Sequence, residues 1–387
     1  MRVTHVELKD FRNYRELTLE LVPGPTLIVG SNGQGKTNLV EALGFLSTLG
    51  SHRVSTDHAM VRQSMDAAIV RVRLEHNERK FLAEVQINRS GANRAQINRS
   101  VIRTRELPRY FSSVLFAPED LALVRGEPSG RRRFIDDLLV LRSPRFSGVM
   151  SDYERVVKQR NMLLKSARAS GVRDTQLSTL DVWDERLIAF GSEIISARSA
   201  LVADLSPEVA RAYERIVGAD HGASLANSLS VISRQDDPDN AVATNDVGEI
   251  ISVADATAAF TAALASVRKA ERDRAITLVG PHRDDLIFGL NGLPARGYAS
   301  HGESWSFALA LKLASAELLR RDSAAGDPVL ILDDVFAELD QSRRERLASS
   351  ISGFEQVLIT AAVYGDVPAE LAANVVRIQA GKVISSE

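Results

Sequence analysis

Cysteine is absent from all 387 residues. That excludes disulfides and thiolate metal sites outright, and it fits a reducing cytosol. Aromatic residues make up only 5%, so the core has to be built mainly from aliphatic side chains. No apolar run approaches the roughly 18–20 residues of a membrane helix. The start, MRVTHVELKD, alternates apolar and polar residues and lacks the apolar stretch of a secretory signal. No membrane association and a cytoplasmic location are therefore expected. Neither sign of charge dominates, since the formal net charge is −2. A nucleic-acid binder with that balance must gather its basic side chains locally, because phosphate contacts need Lys and Arg. What is present, 44% hydrophobic and 25% charged residues, suits a globular protein, and the length suggests two or three domains.

The first 30 residues read as strands. Val3, Val6 and Leu8 open one, and Leu17, Leu19 and Leu21 alternate in a second. Pro23-Gly24-Pro25 marks a turn, and Leu27-Ile28-Val29 is a short buried strand. A helix is predicted from about Lys36 to Leu49, with Leu39, Leu43 and Leu46 on one face. Strands follow at 68–74 and 81–87, then a turn at Ser90-Gly91-Ala92-Asn93 and a strand near 95–97. The pentapeptide QINRS, at 86–90 and again at 96–100, reads as two arms of a hairpin.

From Pro118 to about Arg215 the pattern turns helical. Trp183, Leu187, Phe190, Ile194, Ala197 and Leu201 alternate spacings of four and three, the seam of a short packed helix pair. Pro207 follows that seam. Residues 235–256 carry only acidic charges among small polar residues and read as a loop. From Ile276 the α/β character returns. Apolar runs at Val329–Leu332 and Val357–Ile359, each bounded by polar residues, suggest buried parallel strands. The fold class expected is α/β, with 1–117 and 276–387 as halves of one domain and 118–275 as a helical insert with its acidic loop.

Gly30-Ser31-Asn32-Gly33-Gln34-Gly35-Lys36-Thr37 matches the phosphate-binding loop G-x-x-x-x-G-K-[ST]. Glycines let the backbone curl until its N–H groups face inward, and the following helix adds its positive end. Lys36 supplies a cation to the terminal phosphates, and the Thr37 hydroxyl can hold Mg²⁺. The apolar strand before the loop and the amphipathic helix after it are the context that separates this motif from a glycine-rich turn with a solvated lysine.

The run P-V-L-I-L-D-D-V-F-A-E-L-D spans 328–340. Its strand delivers Asp333 to the sheet edge, where a carboxylate can hold Mg²⁺ through water. Asp334 stands where this class of ATPase polarises the attacking water. A glutamate is usual in transporters, and the shorter Asp predicts slow turnover. Glu338-Leu339-Asp340 forms a loop expected to touch a second subunit. Ser300-His301-Gly302-Glu303-Ser304 precedes a helix carrying Phe307, Leu311, Ala314 and Leu318. Serine and glycine at a helix start make an anion site. In ABC ATPases that site meets the γ-phosphate held by the opposite subunit, so ATP acts as the glue of a dimer.

Between 79 and 109 lie Arg79, Lys80, Arg89, Arg94, Arg99, Arg103, Arg105 and Arg109, opposed only by Glu84 and Glu106. Arg131-Arg132-Arg133 opens a helix of the insert. Both groups are candidate phosphate contacts, with a solvated charged face or a bridge between domains as the competing reading. No base-reading motif is present, so binding independent of sequence is expected. Trp183 and Trp305 sit among apolar neighbours and read as core. The lone His5, His58 and His76 read as surface or packing residues.

Several segments together resemble the RecF family of bacterial recombinational-repair ATPases. They are FRNY at 11–14, GSNGQGKTN at 30–38, SHR at 51–53, LFAPEDLALVRGEPSGRRRFID at 115–136 and KQRNMLLK at 158–165. VGPHRDD at 279–285, ALKLA at 310–314, LDDVFAELD at 332–340 and QVLIT at 356–360 complete the set. Departures lie at SHGES and Trp305, where Glu303 replaces a usual Gln and His301 a usual Gly or Gln. The resemblance implies an ABC-type head like those of Rad50 and SMC proteins, with a short arm. It implies an ATP-dependent homodimer, slow DNA-stimulated hydrolysis, and binding to single-stranded, gapped or junction DNA. Work with RecO- and RecR-like partners and a link to replication and the SOS response are also implied. Phe11, Arg12 and Asn13 would then lie near the nucleotide, and His282, Arg283 and Asp284 near the same site. ABC ATPases generally place a histidine after the last core strand, where this chain has Thr360.

Two other functions compete. A transporter-type ATPase subunit would carry a much shorter insert than residues 38–299 between loop and signature. A small-molecule P-loop kinase would need neither the Ser300–Glu303 segment nor the Asp340 loop.

Overall fold

The computed structural model describes residues 1–76, 79–170, 178–232, 250–322 and 326–386. They form two compact units. One comprises Met1–Ala122, Arg211–Asp220 and His301–Glu387, the other Leu123–Ala210 and His221–Ser300.

The first unit carries two six-stranded sheets. One is antiparallel and runs Tyr14–Glu20, Arg2–Phe11, Ala67–His76, Arg79–Asn88, Arg94–Ile97, Ser100–Ile102. The second runs Lys382–Ser386, Asn374–Gln379, Gly24–Val29, Gln356–Ala361, Val329–Asp333, Ser113–Phe116, parallel except for its first pair. Val329–Asp333 and Gln356–Ala361 are buried at every position, as strands covered on both faces must be. The helix Lys36–Thr48 shares one apolar cluster with both sheets, through Leu39, Val40, Leu43, Phe45 and Leu46. Covered by both sheets, it buries far more than the single apolar stripe its sequence displays.

The second unit packs the helices Pro128–Arg142, Phe146–Ser170, Ser178–Val217 and Val253–Arg274. From Arg211 onward the third of these counts with the first unit. Leu187, Ile194, Tyr153, Phe260 and Leu264 form its core. Within it Arg160 is fully buried and pairs with Asp184 and Glu271 at 2.7 and 2.6 Å, which offsets the cost of an internal charge.

The seam helix runs on through Pro207 to Val217, at the cost of one backbone hydrogen bond. Three expectations need correction. Residues 276–300 do not belong with the head. Their strand Asp285–Leu290 pairs antiparallel with Ser224–Ser228 in the second unit. Its alternation of Leu286, Phe288 and Leu290 signals a strand without saying which neighbour it has. Residues 118–122, expected in the insert, group with the first unit. The loop expected over 235–256 lies outside the described residues up to 249. Beyond them Ser252 caps the helix Val253–Arg274, its Oγ accepting the N–H of Asp255 at 3.1 Å.

Candidate nucleotide site

The strand Gly24–Val29 lies between Gln356–Ala361 and Asn374–Gln379 and delivers the chain to Gly30. A Cβ on Gly30 would sit 2.3 Å from the carbonyl oxygen of Ile378, so only glycine lets the loop leave the sheet here. Gly35 has φ 117°, and a Cβ there would meet Asn13 Nδ2 and Tyr14 Oη at 2.8 Å. Tyr14 Oη donates to Gly35 O at 2.9 Å, and Asn13 Nδ2 donates to Gln34 O at 3.2 Å. The Gln34 side chain is committed elsewhere, with its Oε1 accepting the N–H of Ala380 at 2.6 Å. Ser31, Asn32 and Gly33 are the exposed tip.

Asn32, Gly33, Gly35, Lys36, Thr37, Asn38, Arg53 and Asp334 line one polar cleft of about 320 Å³. Lys36 is buried, and its Nζ donates to Gly30 O at 2.7 Å and Ser31 O at 3.3 Å. Burial lowers its pKa, against the pull of Asp334 and Asp333. Thr37 Oγ1 donates to Asp333 Oδ1 at 3.1 Å, joining residues 296 positions apart. Asp333 is 3% exposed, and burial raises its pKa against the hydrogen bonds from Thr360 and Thr37. A hydroxyl and a carboxylate this close suit a small hard cation that takes its other ligands from phosphate and water. Thr37 and Asp333 thus fit Mg²⁺, and the lysine and loop amides fit a triphosphate.

Arg12 makes its side-chain hydrogen bonds to Glu41 and Ala59. Its guanidinium grips Glu41, with Nε to Oε2 at 2.8 Å and Nη1 to Ala59 O at 3.0 Å. Glu41 is buried; burial pushes its carboxyl up, but Arg12, Ser51 and Arg53 together hold it below its ordinary value. Asn13 lies against the loop, through its bond to Gln34 O. The loop after the helix brings in two residues that sequence reasoning did not single out, His52 and Arg53. Arg53 Nη1 donates to Asn38 Oδ1 at 2.9 Å at the rim of the cleft. His52 Nε2 lies 4.0 Å from Asp333 Oδ2, and burial lowers the ring's pKa to about 4. The only signal for them was the short SHR string.

The helix His301–Asp322 starts immediately after Ser300, which is exposed, while Gly302 and Glu303 are half-buried. A Cβ on Gly302 would lie 3.2 Å from Arg343 Nη1. Asp340 caps its own helix, Gln341–Ile351, by accepting the N–H of Arg343 at 2.9 Å. Its backbone loop is exposed at Ala337 and Glu338.

Residues 2–382 match the family described as RecF/RecN/SMC N terminal domain. The DNA replication and repair protein RecF of Clavibacter sepedonicus is 65% identical over 100% of this chain and 95% of its own length. The chain belongs to the RecF family. The RecF of Leifsonia xyli subsp. xyli is 62% identical over 99% of both chains. A solved structure of the recombination mediator protein RecF-ATPrS in the RecFOR pathway superposes with TM-score 0.86 at 27% identity, covering 99% of this chain and 97% of that one. The α/β architecture is thus the ABC-type head of the RecF family, with a largely helical second unit.

In this RecF-family chain the basic cluster of 79–109 is exposed at all eight positions. Arg89 is tied down, its Nε donating to Met65 O at 2.7 Å and its Nη2 to Arg62 O at 2.8 Å. Among the described residues Arg94, Arg99, Arg103, Arg105 and Arg109 have no ion-pair partner. The arginine triplet is a different case and corrects the expectation of phosphate contacts. Arg131 is buried, grips Asp285 through Nε and Nη2 at 2.7 Å, and caps Gly126 O at 2.9 Å. Arg132 donates to Asp284 O at 2.8 Å, and Arg133 faces Asp137 at 3.7 Å.

His282, Arg283 and Asp284 belong to the second unit, and their side chains are bonded within it. His282 Nδ1 and Tyr153 Oη are 2.8 Å apart, and Arg283 donates to Thr277 O at 3.0 Å. Asp284 Oδ1 accepts from the N–H and Oγ of Ser230, both at 2.8 Å, while its Oδ2 is buried without a partner. Burial pushes this carboxyl up to about 6.

Proposed function

We propose that this chain is an ATP-gated DNA-binding protein of recombinational repair and replication that works as a head-to-head dimer. One observation carries the reading: Lys36, Thr37 and Asp334 share a cleft, and Asp333 is bonded to Thr37 beneath it. The loop Gly30–Thr37 binds ATP through its amides and Lys36. Thr37 and Asp333 would hold Mg²⁺, which would supply positive charge to the phosphates. Asp334 polarises the attacking water, and its short side chain keeps turnover slow. In the dimer Ser300, Gly302 and Glu303 of one copy meet the γ-phosphate held by the other, and the Asp340 loop lies at the pairing face.

DNA is held by phosphate contacts from the exposed arginines of the 94–109 ribbon. Contacts of that kind read charge and backbone shape, which suits single-stranded, gapped or junction DNA of any sequence. The relatives' names, DNA replication and repair protein and recombination mediator protein in the RecFOR pathway, support RecO- and RecR-like partners; a link to the SOS response is part of the same proposal. Among the described residues no helix is long and apolar enough to cross a membrane.

Size-exclusion chromatography with light scattering tests the reading, with and without ATP–Mg²⁺ and gapped DNA. Dimers that appear only with ATP–Mg²⁺, and DNA that speeds phosphate release, are expected. A monomer under every condition would favour a small-molecule P-loop kinase and remove the dimer mechanism.

A further inference from the structure

The chemistry around Asp333 is asymmetric. Its Oδ1 accepts from Thr37 Oγ1 at 3.1 Å and from Thr360 Oγ1 at 2.6 Å, so that oxygen is fully engaged. Its Oδ2 faces His52 Nε2 across 4.0 Å. That nitrogen is buried and has no hydrogen-bond partner. A buried ring nitrogen left without a partner costs on the order of 1–3 kcal/mol, so a group belongs in this gap. At 4.0 Å the gap is too long for a hydrogen bond. It matches a single water donating one hydrogen to each side.

We propose that His52 is a positioning residue for the cation of the nucleotide site, its Nε2 holding the water through which Asp333 Oδ2 reaches Mg²⁺. The proposal rests on the nucleotide reading of the cleft.

The loop is built to keep the ring still. Ser51 Oγ donates to the buried carboxylate of Glu41 and accepts the N–H groups of Arg53 at 2.9 Å and Val54 at 3.1 Å. Arg12 fixes Glu41 from the other side. A charged pair, a hydroxyl turn and an imidazole thus run in series from Arg12 to Asp333. Thr360, which stands where ABC ATPases generally have histidine, occupies the far oxygen of the same carboxylate. The imidazole therefore approaches from the helix side of the cleft, not from the last core strand.

Residues that orient a metal ligand through a hydrogen bond typically change metal affinity by about 10–100-fold when removed. The experiment compares the full chain with His52→Ala, His52→Phe and His52→Gln. Affinity for ATPγS is measured in EDTA and in Mg²⁺, and the ratio of the two is the metal coupling. His52→Ala and His52→Phe are expected to lower that coupling about tenfold. Affinity in EDTA should stay as in the unaltered chain. His52→Gln keeps an acceptor, its amide oxygen, and should retain most of the coupling. Undiminished coupling in both deletion variants would overturn the proposal. So would an equal loss in EDTA and in Mg²⁺ that Gln fails to rescue, since that marks a packing role. If the unaltered chain bound no ATPγS, the nucleotide reading itself would fail, and this proposal with it.

Discussion

Thr360 Oγ1 donates to Asp333 Oδ1 at 2.6 Å and accepts the N–H of Asp334 at 3.0 Å. One hydroxyl therefore fixes both acids of the strand end. It also holds Asp334 at φ 57°, a left-handed conformation that Asp and Asn tolerate better than other side chains. Asp334→Asn is compatible with this backbone and removes only the charge. The variant should bind ATP and pair as before while hydrolysis falls at least about 100-fold, the lower end for a catalytic base. A phosphate-release assay beside light scattering checks this. Unimpaired release would remove Asp334 from its role.

Lys36→Ala takes away the buried cation held over Gly30 and Ser31. Nucleotide-induced pairing should disappear. A filter-binding or fluorescence titration should show ATP affinity reduced by at least about tenfold, as expected when one phosphate-binding charge is lost. Pairing at the normal ATP concentration would contradict the assignment of the loop.

Ser300→Arg places a bulky cation at the exposed start of the helix His301–Asp322. ATP binding by the single chain should be unchanged, because none of the cleft-lining residues is altered. Pairing in ATP–Mg²⁺ should be lost. Analytical ultracentrifugation decides it, and normal dimers would sink the signature role of Ser300.

Asp284 yields a pH prediction. Its carboxyl is pushed up to about 6 by burial, above the roughly 3.9 of an unfolded chain. Burial is thus tolerated while the group is protonated, and stability is lost as pH rises through about 6. Asp284→Asn keeps an acceptor for Ser230 and cannot ionise. It should be nearly neutral at about pH 4 and stabilising at pH 8, by an amount on the order of 1–3 kcal/mol. Urea unfolding at the two pH values tests this, and a stabilisation that shrinks with rising pH would refute it.

The phosphate loop and the acidic strand end were legible because each chemistry forces a short local spacing: glycines before lysine, an apolar run before two aspartates. Their meeting at Thr37 and Asp333 followed from knowing that both sit at strand ends of one parallel sheet. What escaped were relationships set by distant partners. Arg131 reads as a phosphate contact until Asp285 is found against it. The pairing of Arg12 with the buried Glu41 has no local signal either. His52 shows only as the middle of the short SHR string, because its place depends on a serine turn anchored by a buried carboxylate. The strand Asp285–Leu290 looked like a return to the head because alternation reveals a strand but not its sheet.

The order of the parallel sheet has a consequence for synthesis of the chain. Gly24–Val29 lies between Gln356–Ala361 and Asn374–Gln379. Both of its hydrogen-bonding edges therefore wait for segments translated more than 300 residues later. Pairings that span so much sequence form slowly and leave apolar strands open in the meantime. The growing polypeptide thus carries an unclosed edge at its nucleotide loop for most of its time on the ribosome, and protection by a chaperone is of most use there.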